Sequence, residues 1–163
     1  MVDIEFEAFF SDRYDEVRRA LTVAFGDARL AEECAQEAFV RAFVRWRRIR
    51  RMESPAGWVY VVATNVARRR RPWPADADAA SFVDGADPAD AVVDRASIAC
   101  GIAQLPDRQR IAIVLRYLAD LPIADVATAM GCAPGTVKST VHTALARLRV
   151  TLTDSEEVCD GPR

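Results

Sequence analysis

The sequence predicts an all-α protein built from two small helical domains that are joined by an acidic linker. Apolar residues recur at helical spacing through residues 4–71, and again from about residue 91 to residue 149. The stretch at 72–92 shows no periodicity and is rich in proline, aspartate and alanine, which is typical of a flexible tether. The predicted domains are therefore 1–71 and 93–152, with a linker at 72–92 and a short acidic tail at 153–163.

Three apolar stripes predict three helices in the first domain. The first stripe ends at Gly26, and the second is the most regular, with apolar residues every three or four positions from Ala35 to Trp46. The third helix opens at Ser54–Pro55, where a capping side chain precedes a proline at the first helical position. It ends in the arginine run at 68–71, whose cations suit a helix C-terminus.

Residues 123–149 predict a helix-turn-helix within the second domain. A short apolar helix ends at Gly131, which allows a left-handed stop, and Pro134 fixes the first turn of the next helix. That second helix keeps one apolar stripe and turns polar side chains outward, as a helix that enters the major groove of DNA does. On this stretch alone, an ordinary pair of packed helices is the alternative. Two further helices are predicted before it, at about 91–104 and over Ile111 to Leu118.

Charge and composition narrow the class of function. The formal net charge is −2, but arginines cluster at 41–51 and 68–71, which indicates surfaces for phosphate, with a solvated charged face as the alternative. The four cysteines are scattered and the single histidine is His142, so the sequence predicts no metal site, no cofactor and no catalytic residue. No apolar run is long enough to insert into a membrane, and the N-terminus begins with acids, so a cytoplasmic protein is expected.

Three motifs follow one another along the chain. The first, at 32–43, is EECAQEAFVRAF, the second, at 54–71, is SPAGWVYVVATNVARRRR, and the third is the region at 105–149, which includes Gly-Thr-Val-Lys-Ser at 135–139. All three resemble motifs of bacterial RNA polymerase sigma factors of the extracytoplasmic-function (ECF) group. The first is similar to the family's polymerase-binding helix, the second resembles the helix that reads and opens the −10 promoter element, and the third resembles the −35-binding module. The order and separation of the three motifs also match, so the resemblance covers nearly the whole chain.

The resemblance implies residues for polymerase docking and for the −10 element. A mixed-charge face opposite the apolar stripe of the second helix suits a partner helix, with an ordinary solvated face as the alternative. Aromatic and arginine side chains together can stack on an unpaired base and hold its phosphates. Trp58 is equally compatible with a place in the core. The polymerase-binding residues are Glu33, Gln36, Glu37 and Arg41. The −10 residues are Arg47, Arg48, Arg51, Trp58, Asn65, Arg68 and Arg69.

The resemblance places −35 recognition on the last predicted helix. We expect Lys138 to contact phosphate and the hydroxyl and imidazole groups near it to choose bases. Ala133 stands where relatives commonly have a capping serine, and Thr140 and Thr143 stand where many carry arginine, so promoter preference cannot be transferred from relatives. The −35 residues are Thr136, Lys138, Ser139, Thr140, His142, Thr143 and Arg147.

The implied partners are core RNA polymerase, promoter DNA (duplex at −35 and melted at −10) and an anti-sigma factor. The acidic linker would lie in the RNA-exit channel and mimic a phosphate strand, or it is an inert tether. A conventional helix-turn-helix regulator would share the second domain but would not explain the two motifs of the first. A degenerate sigma factor that only titrates an anti-sigma partner would lack the −10 motif.

Overall fold

The computed structural model describes residues 4–73 and 95–157, with the side chains of 154–157 excepted. Of the predicted linker only Pro72 and Trp73 lie within these residues, and Trp73 is buried against Phe25 rather than part of a tether. No strand occurs within these ranges, so the all-α prediction is confirmed. The helices of the first module are α1 (Ile4–Phe25), α2 (Ala28–Val44), α3 (Trp46–Ile49) and α4 (Pro55–Arg70). Those of the second are α5 (Arg95–Gln104), α6 (Asp107–Ile113), α7 (Ile123–Met130) and α8 (Pro134–Glu157).

Helix boundaries follow local capping chemistry. The side chain of Asp27 accepts a hydrogen bond from the Leu30 amide at 3.0 Å, and Ser54 accepts one from Gly57 at 3.0 Å, so α2 and α4 each begin on a side-chain cap. At the end of α7, Gly131 takes a left-handed conformation with φ 66°. The Cys132 amide then bonds the Ala127 carbonyl at 3.1 Å, which closes the helix end and starts the turn toward α8.

An aromatic cluster holds α1 against α2. Phe39 is buried, and its ring centroid lies 5.7 Å from that of Phe9 and 5.2 Å from that of Phe10. Trp46 packs its ring 5.3 Å from Phe6 in an edge-on arrangement. These rings come from the apolar stripes that the sequence shows. The four-residue helix α3 was not predicted, because 46–49 falls between the end of one stripe and a loop.

The second module differs from prediction at two places. The helix predicted over Ile111 to Leu118 changes to a π-helical turn at Val114–Leu118, where the Ala119 amide bonds the Val114 carbonyl at 3.0 Å. This wider turn keeps Val114 and Leu115 buried and leaves Leu118 about half exposed. At the other end of the module, α8 continues to Glu157, so the first residues of the predicted tail are helical.

The two modules pack against each other and share one buried core. Helix α7 lies along α4, with a methyl group of Leu121 3.2 Å from the point where a Cβ on Gly57 would stand. Helix α6 lies against α1, and the buried Arg110 of α6 reaches the C-terminal end of α1. The sequence did not predict how the two modules are placed relative to each other, and these contacts define that placement.

Candidate partner-binding and nucleic-acid-binding surfaces

The exposed face of α2 combines apolar and charged side chains. Val40 and Val44 are 62% and 76% exposed, whereas most other valines in the described residues are buried. Gln36 is exposed beside them and donates to Glu32. The Glu37 carboxylate pairs with Arg41 one turn later, and both side chains are partly exposed. The predicted polymerase-binding side chains therefore lie on one surface, and two exposed valines that were not among the predicted residues form its apolar centre.

Arg70 of α4 ties the same surface to the predicted −10 helix. Its guanidinium lies 3.0 Å from a carboxylate oxygen of Glu33 and 2.6 Å from one of Glu37. Exposed ion pairs of this kind contribute little to the free energy of unfolding. The two acids are nevertheless oriented by an arginine of the neighbouring helix, so the docking face and the C-terminal end of α4 are held in one geometry.

Along α4, three predicted −10 residues have distinct environments. Trp58 is half-buried and packs on the core, which favours the structural alternative for its ring. Asn65 is partly exposed, and its side-chain oxygen accepts a hydrogen bond from Arg68 at 2.9 Å. The Nε of Arg68 is buried and has no hydrogen-bond partner within the described ranges. Arg69 points into solvent at the end of the helix.

The remaining −10 candidates occupy the connection between α2 and α4. Arg47, Arg48 and Arg51 are all exposed, whereas Trp46 and Ile49 are buried. The short helix α3 therefore turns two apolar side chains into the core and the guanidinium groups of Arg47 and Arg48 outward, and Arg51 follows just after the helix. This arrangement supplies a positive edge next to the start of α4, suited to phosphates of a single strand.

The outer face of α8 is polar and open. Thr136, Lys138, Ser139 and His142 are exposed, and Thr143 and Arg147 are partly exposed on the turns that follow. The hydroxyl of Ser139 bonds the Thr136 carbonyl at 3.0 Å, which leaves its oxygen able to accept a further bond. A helix with this face can lie in a major groove and offer its side chains to base edges and phosphates.

Thr140 is an exception, and its predicted contact with bases is contradicted by its burial. The residue is 9% exposed, and its hydroxyl donates to the Thr136 carbonyl at 2.7 Å. Position 140 follows Val137 by three residues and precedes Ala144 by four, so it shares the apolar stripe of the helix. Thr140 is removed from the base-reading set for this reason.

Cys34 and Tyr60 are titratable side chains that are buried in the core. Burial raises the pKa of the Cys34 thiol to about 11, so this sulfur stays protonated at neutral pH. Burial also raises the pKa of Tyr60 to about 12. Over the described ranges, no group of three histidine, cysteine or acidic side chains could hold a metal ion, and no helix is long and apolar enough to cross a membrane.

Comparison with known proteins gives matches to both modules. The family model for sigma-70 region 2 matches residues 9–71, and that for sigma-70 region 4 matches residues 95–148. The ECF RNA polymerase sigma factor SigW of Bacillus subtilis is 31% identical over 158 residues, which cover 86% of this chain and 84% of the relative. The RNA polymerase sigma-E factor of Streptomyces coelicolor is 32% identical over 152 residues, which cover 90% of this chain and 85% of the relative.

A solved structure shares the fold. The sigma factor RpoE of Bartonella quintana, in complex with the anti-sigma factor NepR, matches with a TM-score of 0.62 at 21% identity. The match covers 91% of this chain and 97% of that one. At this identity the likeness bears on fold alone.

Proposed function

Because this chain belongs to the ECF group of the sigma-70 family of RNA polymerase sigma factors, we propose that its two modules divide promoter recognition between named surfaces. As a sigma factor, it binds core RNA polymerase and directs the polymerase to promoters. In the proposal, residues 4–73 dock on the polymerase and open the −10 element, and residues 95–157 read the −35 element as duplex. The chain acts as a specificity subunit without an active site of its own, in the cytoplasm.

Docking is assigned to the exposed face of α2. The observation that carries this assignment is the pair of exposed valines, Val40 and Val44, next to Gln36 and the Glu37–Arg41 pair. A central apolar contact surrounded by polar groups is the usual anatomy of a protein interface. Specific orientation would come from the charged pair, and most of the affinity from burial of the valines.

A charge placed among the valines tests this assignment. Val40→Asp should reduce the affinity for core polymerase at least tenfold, since a carboxylate would have to be desolvated in the interface. Val150→Asp is the matched control, because Val150 is 61% exposed on α8 and is not assigned to docking. Binding is measured by titrating labelled chain with core polymerase. Equal affinity of the two variants would contradict the assignment.

Opening of the −10 element is assigned to α4 and the exposed edge of α3. Arg47, Arg48, Arg51 and Arg69 would hold the phosphates of the displaced strand, and Asn65 would hydrogen-bond an unpaired base. Arg68 would either contact phosphate or keep the Asn65 amide oriented through their hydrogen bond. Trp58 supports the helix from the core side.

Reading of the −35 element is assigned to the open face of α8. Lys138 would contact phosphate, while Ser139, His142 and Thr143 would reach base edges, with Thr136 and Arg147 at the margins of the footprint. Hydroxyl and imidazole groups give weaker base preference than the bidentate contacts of arginine to guanine. We therefore expect a −35 preference that differs from those of relatives with arginine at position 143.

An anti-sigma factor is proposed as the regulatory partner. The support is the family membership, together with a fold shared with a sigma factor that has been solved in complex with such a protein. A protein with this role should compete with core polymerase for the chain. In a titration, a candidate that binds without reducing holoenzyme formation would not be an anti-sigma factor.

A further inference from the structure

Arg70, in the last turn of α4, bridges two carboxylates of the docking face. Its Nη1 lies 3.0 Å from a carboxylate oxygen of Glu33, and its Nη2 lies 2.6 Å from one of Glu37. The two acids stand four residues apart on α2, so one guanidinium spans about one turn of that helix. A planar guanidinium fixes the direction of its hydrogen bonds as well as their length, which a point charge does not.

Each of these two carboxylates is held at both of its oxygens. The Oε1 of Glu33 accepts a hydrogen bond from Arg29 at 3.1 Å, and its Oε2 accepts one from Arg70. The Oε1 of Glu37 accepts from Arg41, and its Oε2 again from Arg70. Arg29 and Arg41 belong to α2 itself, whereas Arg70 reaches the acids from the neighbouring helix. A carboxylate held at both oxygens has lost much of its rotational freedom before any partner arrives.

The other arginines of the run at 68–71 have different environments. Arg68 donates to a side chain of α4 itself, and Arg71 donates to the Phe25 carbonyl at 2.6 Å. Arg69 is exposed and makes no hydrogen bond or ion pair within the described ranges. Four consecutive cations are therefore not one uniform surface for DNA. Arg70 is engaged on the docking face, whereas Arg69 is available to a phosphate.

We propose that Arg70 is a positioning residue for polymerase docking, and that it acts by orienting Glu33 and Glu37 rather than by contacting DNA. The inference rests on the proposed assignment of docking to the exposed face of α2. A carboxylate has about four acceptor positions, so both partly exposed acids can accept a further bond from a basic group of the polymerase. Acids that are already oriented lose less side-chain entropy when that bond forms. Exposed ion pairs stabilise the fold little, so the effect is expected in binding.

Two adjacent arginines of the run provide the test. Labelled full-length chain is titrated with core polymerase, and Arg70→Gln should bind about fivefold more weakly than the wild type, because ordering a long side chain on binding costs roughly a factor of two to ten in affinity. Arg69→Gln removes the same charge one residue earlier and should bind core polymerase as the wild type does. Circular dichroism should show the same helix content for all three chains.

A double-mutant cycle shows whether Arg70 acts through the two acids. In a chain that carries Glu33→Gln and Glu37→Gln, the further change Arg70→Gln should cause no additional loss of affinity for core polymerase. Arg70→Lys should give an affinity between those of the wild type and Arg70→Gln, because an ammonium keeps the charge but lacks the fork that reaches both carboxylates.

DNA binding supplies the second readout. The probe is a promoter selected by the reconstituted holoenzyme, with a duplex −35 element and an exposed −10 strand, and core polymerase is saturated with each variant before the DNA is added. Arg69→Gln should lower the slope of log affinity against log salt concentration by about 0.7, the share of one single-strand phosphate. Arg70→Gln should leave this slope unchanged. The two adjacent substitutions are thus expected to have opposite patterns in the two assays.

Several results would overturn the inference. Wild-type affinity of a folded Arg70→Gln for core polymerase, an additive loss in the cycle, or a lowered salt slope with DNA would each remove the positioning role. If Arg70→Gln is unfolded, Arg70→Lys takes its place in the cycle, and wild-type affinity of that variant would count against the role. If Arg70→Gln binds normally while Val40→Asp binds weakly, the docking assignment stands and the positioning role alone is wrong. Normal binding by both variants would contradict both proposals.

Discussion

Removal of Lys138 should weaken −35 binding through charge and leave the preferred sequence unchanged. The side chain is exposed on the outer face of α8, and no ion pair of Lys138 occurs within the part of the chain that the structure describes. Its ammonium is therefore available for one DNA phosphate. Each phosphate neutralised contributes about 0.9 to the slope of log affinity against log salt concentration.

The expected magnitude follows from that slope. Between 50 and 200 mM salt, one lost phosphate contact changes the affinity ratio of wild type to Lys138→Ala by about 3.5-fold. The assay is binding of the reconstituted holoenzyme to a randomised −35 library at several salt concentrations. Ser139→Ala is the control on the same face, and it should change the sequence ranking while keeping the slope. A changed ranking with an unchanged slope for Lys138→Ala would refute the division between phosphate contact and base choice.

Three further outcomes are expected. Asn65→Ala should lower transcription from a duplex promoter, and a pre-melted bubble should restore most of it; equal loss on both templates would count against a role in opening. Phe39→Ala should reduce the free energy of unfolding by about 3–5 kcal/mol in urea titrations, since it empties the centre of the aromatic cluster. At pH 8 a thiol reagent should modify the exposed Cys100 and leave Cys34 unmodified, because the raised pKa of about 11 keeps the buried Cys34 thiol protonated until the chain unfolds. Mass spectrometry of the proteolytic peptides measures which cysteine carries the reagent.

The helices were predictable because burial and helical periodicity produce the same pattern in the sequence. The stripe that begins at Ala35 lies on α2, although its last residue, Trp46, belongs to α3, and the Ser54–Pro55 start matches the start of α4. Thr140 could also have been placed correctly, because its spacing from Val137 and Ala144 puts it on the apolar face. Residue type and family resemblance outweighed that spacing, and the assignment was wrong.

Long-range contacts were not predictable from local pattern. Arg110 lies in a polar stretch, where an arginine would be predicted to be exposed. In the structure it is buried, and it donates a hydrogen bond to an α1 carbonyl that is 86 positions away in sequence. The ion pairs of Arg70 with Glu33 and Glu37 of α2 could not be predicted either, since the sequence around an exposed cation does not indicate which carboxylates it will contact. Val40 and Val44 did carry a usable signal, because they lie on the polar face of α2, opposite the apolar stripe that packs into the core, and both are exposed.

Transcription by a reconstituted holoenzyme tests the central claim most directly. Purified chain is added to core RNA polymerase, and run-off transcripts are sequenced from a library of genomic fragments, with core polymerase alone and with the Val40→Asp variant as controls. The account predicts transcripts that start downstream of one shared pair of −35 and −10 sequences, and only with the wild-type chain. Transcripts without a shared promoter sequence, or the same yield from core polymerase alone, would contradict the account.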